Sequence, residues 1–148
     1  ALESHPGYWK KHTDSTQLLA AWKRLSSHRT AAVFRRPVNP KEAPGYTDRI
    51  LFPIDLSLIR KMIVASLIQS WADLQLRLQQ ICHNCVKFNG RESDYSLVTR
   101  DFEAHVEEVL LQLVHNSSNT AVNKSVLPAV ATTVVATNKP APAAAARP

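Results

Sequence analysis

Two cysteines in 148 residues, Cys82 and Cys85, are too few and too close together to staple a small secreted domain, so a reducing intracellular compartment is expected. The chain also lacks any apolar run near the roughly 20 residues of a bilayer-spanning helix, and no signal peptide is visible, so neither a membrane anchor nor secretion is expected. It lacks an initiator methionine, opening on Ala1, which reads as a fragment of a longer protein. The Cys82-His83-Asn84-Cys85 run has no second clustered ligand pair for structural zinc and no neighbouring βαβ pattern for thioredoxin-like chemistry. The six histidines are scattered, and no Ser/His/Asp or Cys/His set is supported by spacing. Catalysis, a metal and a cofactor are therefore not expected.

Acidic residues are absent after Ser117, while Lys124, Lys139 and Arg147 follow it, so the net charge of +6 falls to about +3 on the rest. That balance gives no concentrated basic stripe with interleaved aromatics, and direct, specific nucleic-acid binding is not expected.

What is present is helical patterning. Residues 1–12 read as a loosely attached lead-in, with Trp9 placed to anchor it. Asp14, three before Gln17, has the position of a helix cap, and Leu18, Leu19, Trp22 and Leu25 recur at helical spacing over 14–28. Pro37, Pro40, Pro44, Gly45 and Pro53 forbid a long regular element over 29–53. A loop of that length inside a compact domain is usually functional. Asp55 caps a second helix striped by Leu56, Ile59, Met62 and Ile63, ending near Ala65. Ser70 caps a third, where Trp71, Leu74, Leu78, Ile81, Cys85 and Phe88 keep a helical period to Asn89-Gly90. Ser93 opens a fourth, with Val98, Phe102, Val106, Val109 and Leu113 buried to about His115. The fold class is all-α: a four-helix bundle over 13–116 with a long loop between helices 1 and 2. A core of about 115 residues can stand without disulfides. Residues 117–148, rich in Ala, Pro, Thr and Val, are expected to be a disordered tail.

Asn89 is the most informative residue. Its carboxamide offers two N–H donors and an acceptor without charge, which suits recognition of another neutral amide. Alone, an Asn before Gly is an ordinary helix end. The loop residues Phe34-Arg35-Arg36-Pro37-Val38 and Ala43-Pro44-Gly45-Tyr46, with Tyr95 six positions after Asn89, supply apolar groups and phenols able to wall a shared cavity.

Together these pieces resemble a bromodomain. The matching motifs are Phe34-x-x-Pro37-Val38, Ala43-Pro44-Gly45-Tyr46, Ile50-x-x-Pro53-Ile54-Asp55-Leu56-Ser57-x-Ile59 and Asn84-Cys85-x-x-Phe88-Asn89 with Tyr95 following, in order over about 14–115. The Ala-Pro-Gly-Tyr variety looks like that of bromodomains in chromatin-remodelling and histone-acetyltransferase complexes. The resemblance implies a left-handed bundle whose long loop and last inter-helix turn form a pocket for Nε-acetyl-lysine. In it Asn89 donates to the acetyl carbonyl, Tyr46 reaches the same oxygen through an ordered water, Val38 and Phe34 line one wall, and Tyr95 guards the mouth. Pro37, Ala43, Phe88 and Cys85 join the binding residues. Departures are Ala32-Val33-Phe34 for a frequent Trp-Pro-Phe, which leaves one ring of the aromatic shelf, Thr47 for a second tyrosine, Ile54 for Met and Phe88 for Tyr.

The implied function is a non-enzymatic nuclear reader of acetylated histone tails or other acetylated nuclear proteins, recruiting subunits of a chromatin complex. The alternative is a degenerate bromodomain-like scaffold that holds a partner without binding acetyl-lysine. Physically, a lysine ammonium entering such a pocket sheds hydration with no carboxylate awaiting it, at a cost of several kcal/mol. Acetylation removes that charge and leaves one amide to satisfy.

Overall fold

Residues 12–123 are described in the computed structural model, so the lead-in with Trp9 and the chain beyond 123 lie outside the described residues. Each main helix starts at a short polar side chain that accepts from the otherwise unpaired N–H groups of the first turn. The Asp14 carboxylate accepts from the Thr16 N–H at 2.8 Å and opens α1, Ser15–Ser26. Asp55 accepts from the N–H groups of Ser57 and Leu58 and from the Ser57 hydroxyl at the start of α3, Leu56–Val64. The Ser70 hydroxyl accepts from the Asp73 N–H (3.1 Å) and opens α4, Trp71–Asn89. That of Ser93 accepts from the Ser96 N–H (3.2 Å) ahead of α5, Asp94–Asn123. Between α1 and α3 lie a 3-10 helix, Arg29–Phe34, and a single helical turn, α2, Tyr46–Arg49. No strand occurs among the described residues, and the architecture is an all-α bundle.

Two ends differ from expectation. α1 stops at Ser26 rather than near residue 28, because the Ser26 and Ser27 hydroxyls both donate to the Lys23 carbonyl and His28 turns extended to cap the 3-10 helix. At the other end α5 continues past His115 to Asn123. No Gly or Pro interrupts residues 116–123, and prolonging a formed helix by about two turns needs no new nucleus.

The apolar stripes meet in one core: Leu18, Ala21 and Leu25 from α1, Ile59 and Ile63 from α3, Leu74, Leu78 and Ile81 from α4, Phe102, Val106, Val109 and Leu110 from α5, with Phe34 from the 3-10 helix. Full burial of each large aliphatic or aromatic side chain is worth about 1.5–3 kcal/mol relative to exposure. Antiparallel α4 and α5 pack most extensively, and α1 lies against α3 and α5. The Trp22 indole N–H donates to the Leu56 carbonyl at 2.7 Å, tying α1 to the start of α3.

Two amides of α4 fasten the far end of the long loop. Asn84 Nδ2 donates to the Phe52 carbonyl at 2.8 Å, and Gln80 Nε2, one turn earlier, donates to the same oxygen at 3.1 Å. The helix that ends at Asn89 therefore also sets where the loop returns.

No helix among the described residues is long and apolar enough to cross a membrane.

Candidate functional site

Between the long loop and the α4–α5 junction is a cleft of about 810 Å³. All nine residues singled out in the sequence border it: Phe34, Pro37, Val38, Ala43 and Tyr46 from the loop side, Cys85, Phe88 and Asn89 from α4, and Tyr95 from α5.

Asn89 is the last residue of α4, and Gly90 beyond it takes φ +85°, a backbone region costly to residues with a Cβ. One Asn89 Nδ2 hydrogen goes to the Cys85 carbonyl at 2.9 Å. The flipped amide would set two oxygens against each other at that distance, so the bond fixes the orientation. The Oδ1 acceptor is left for a ligand, and the only further partner of Nδ2 among the described residues is the Cys85 sulfur at 3.6 Å, a weak acceptor that a ligand oxygen can displace. The turn after it is held by the Ser93 and Ser96 hydroxyls, which both donate to the Gly90 carbonyl. The Cys85 thiol lies 3.7 Å from the Tyr95 carbonyl and joins α4 to the first turn of α5.

Tyr46 follows Gly45, whose φ of +78° makes the sharp entry to α2. Its ring is 7% exposed and meets Phe88 edge to face, centroids 5.0 Å apart. The hydroxyl has no partner among the described residues and is left to the cleft. Burial, with a smaller contribution from nearby Cys85, raises its pKa above that of an ordinary phenol, so it remains a donor at neutral pH. The Arg49 guanidinium lies 5.7 Å from the Phe88 centroid and steadies the same ring.

The remaining predicted residues differ in degree. Phe34 packs on Phe102 at 5.0 Å and is nearly buried, so it serves the core while showing the cleft an edge. Val38, 41% exposed, forms a lip rather than a buried wall, and Tyr95, 54% exposed, stands at the opening. Cys82 faces the core, where burial, with Glu103 adding, drives its thiol pKa far up and makes it a poor nucleophile or ligand.

The sequence reading missed several lining residues. Ile81, Cys85 and Asn89 are spaced i, i+4, i+8 along α4, so helical geometry alone would have put Ile81 on the cleft face. Ile54, Asn39, Arg35 and Arg36 also border the space. The expectation of a cleft without carboxylates needs correction, because Asp55 and Glu42 both stand at its edge. Both are engaged: Asp55 caps α3, and Glu42 Oε1 accepts from Asn39 Nδ2 at 3.3 Å. With Arg35 and Arg36 on the same rim the carboxylates offer an incoming ammonium no net attraction.

A family model described as Bromodomain matches residues 18–110, more than half of the chain. Bromodomain-containing factor 2 of Saccharomyces cerevisiae is 29% identical over 98 residues, which are 65% of this chain and 15% of that protein. The chain thus spans a small part of that relative's length. The solved bromodomain of human BAZ1A superposes with a TM-score of 0.64 at 18% identity, covering 70% of this chain and 96% of that one. A bromodomain from Leishmania donovani, crystallised with bromosporine, gives 0.63 at 25% identity, covering 70% and 88%.

Proposed function

The chain belongs to the bromodomain family of acetyl-lysine reading modules, and from that premise we propose that it docks acetylated histone tails or other acetylated nuclear proteins, in the nucleus, and recruits a chromatin-associated complex. In this reading Asn89 donates its second amide N–H to the acetyl carbonyl, and Tyr46 reaches that oxygen through a water. Val38, Pro37, Ala43 and the edge of Phe34 cover the side chain's methylenes. Cys85 and Phe88 form the inner surface, and Tyr95 closes over the mouth.

The observation that carries this reading is the Asn89 amide, oriented by the Cys85 carbonyl with only the weakly accepting Cys85 sulfur as a further partner among the described residues, beside a buried phenol in a cleft whose charged groups stand at its rim. A neutral amide satisfies both groups, whereas an ammonium duplicates the donors and loses several kcal/mol of hydration. Net affinity is modest, since a single neutral hydrogen bond contributes about 0.5–1.5 kcal/mol. Bridging water extends the polar contacts at little enthalpic cost.

Calorimetric titration with matched acetylated and unacetylated peptides tests the proposal. Binding is expected only to the acetylated member. Asn89→Ala removes the direct donor to the acetyl oxygen and should weaken binding by about 1–3 kcal/mol, roughly five- to 150-fold. Equal binding of both peptides, or an indifferent Asn89→Ala, would instead favour a scaffold that holds partners elsewhere on its surface.

A further inference from the structure

Four charged residues border the cleft, and three of them are committed. Arg35 donates to the Ser26 carbonyl (2.7 Å) and the His28 carbonyl (3.2 Å) at the end of α1. Glu42 is held by Asn39 and Asp55 by its capping bonds. Arg36 alone of the four is exposed without a protein partner among the described residues. Its neighbour's two bonds pin the backbone there, so the free guanidinium is presented from a fixed point. A second hollow of about 270 Å³ shares Pro37, Val38 and Tyr46 with the cleft and continues it to the exposed Lys61. Arg35, Arg36 and Lys61 outnumber Glu42 and Asp55, whose bonds are to neutral groups and leave their charge in place, so the loop side of the mouth carries a modest positive excess with Arg36 as its free cation among the described residues that border the cleft. The α4–α5 turn, which brings Asn89 and Tyr95, carries Arg91, Glu92 and Asp94 and has mixed sign.

Resting on the acetyl-lysine reading above, we propose that this chain selects acetyl-lysine flanked on one side by an anionic side chain, carboxylate or phosphate, and disfavours acetyl-lysine set among further basic residues. Arg36 is the specificity-determining residue, and Lys61 extends the edge it forms. A guanidinium fork matches carboxylate and phosphate oxygens two at a time, and its repulsion of a flanking lysine acts at the same place. Two cations beside an apolar cleft do not make the continuous stripe that a nucleic-acid backbone requires, which favours a peptide partner.

The test is a peptide series on one acetylated sequence with neutral flanks, placing glutamate, phosphoserine or lysine at successive positions on either side of acetyl-lysine. Each peptide is titrated at low and high salt against the wild-type chain, Arg36→Gln and Arg36→Lys. Glutamate on one side should tighten binding about two- to fivefold over the neutral peptide at low salt, as expected for a solvent-exposed ion pair. Phosphoserine should gain more, and lysine at that position should lose. The ratio of acidic to neutral affinity should fall to near one in Arg36→Gln, survive in Arg36→Lys, and shrink at high salt. Equal affinities for glutamate and lysine peptides would overturn the proposal, as would a gain that persists in Arg36→Gln. So would Arg36-dependent binding of short duplex DNA without any flank preference in peptides. Acetyl-dependent binding that ignores flanking charge removes this inference alone, whereas absence of acetyl dependence removes the reader function and this inference with it.

Discussion

Replacing Asn84 with alanine tests how the long loop beside the cleft is held. The Asn84 side chain is 6% exposed and donates to the Phe52 carbonyl at 2.8 Å, with Gln80 sharing that oxygen at 3.1 Å. The Phe52 ring is largely in solvent, so these bonds, not burial of the ring, tether the loop here. Asn84→Ala forfeits a net hydrogen bond of about 0.5–1.5 kcal/mol and opens a small void, while Gln80 keeps the carbonyl paired, for a total of about 1–2 kcal/mol. Gln80 is more exposed, and water replaces its donor readily, so Gln80→Ala should cost under about 1 kcal/mol. The double variant leaves the acceptor without either amide and should exceed the sum of the singles by about 0.5–1 kcal/mol. Urea unfolding followed by helical circular dichroism reads all three through the midpoint at constant slope. Acetyl-peptide titration of the double variant should show weakened binding, because the loop that bears Val38 and Tyr46 loses its fixed return point. Two results would refute the reasoning: Gln80→Ala as costly as Asn84→Ala, or a double variant no worse than the sum of the singles.

Asp55→Ala removes a cap that accepts from two backbone N–H groups and one hydroxyl, and should lower stability by about 1–2 kcal/mol, read as a shift in urea midpoint. His105 stacks on His28 with centroids 3.7 Å apart, and burial, with added contributions from His28 and Arg24 against an opposing one from Glu108, lowers its pKa below the ordinary 6.5. Between its folded and unfolded pKa values the unfolded chain holds more protons, so this group's contribution is complete above about pH 6.5 and is lost as pH falls below it. The urea midpoint should decline over that window, and His105→Gln should flatten the decline.

The helices were legible because each rests on a local signal: a capping side chain, an apolar stripe, and a glycine where α4 must stop. The nine cleft residues were legible because their motifs keep order and spacing, which a chain of this topology converts into proximity. Partnership was not legible. Arg35 and Arg36 are adjacent and chemically identical, yet one is spent on the carbonyls ending α1 and the other is free. Nothing in the dipeptide distinguishes them, because the choice depends on where α1 ends, and α1 ends early through hydroxyls that compete for the Lys23 carbonyl. Asp55 and Glu42 were likewise invisible as cleft neighbours, since their positions follow from the loop's path.

That path in turn depends on α4. The loop's backbone bonds run through its 3-10 helix and α2 up to Ile50, and the Phe52 carbonyl beyond them takes its donors from α4. Asn84 and Asn89 lie five residues apart on α4. At about 100° per residue they point roughly 140° apart around its axis. One therefore holds the loop's return at Phe52 while the other borders the cleft, and Tyr46, carried on that loop, is set against Asn89 by a single rigid element. The same geometry explains why removing both Asn84 and Gln80 amides should weaken peptide binding although neither residue borders the cleft.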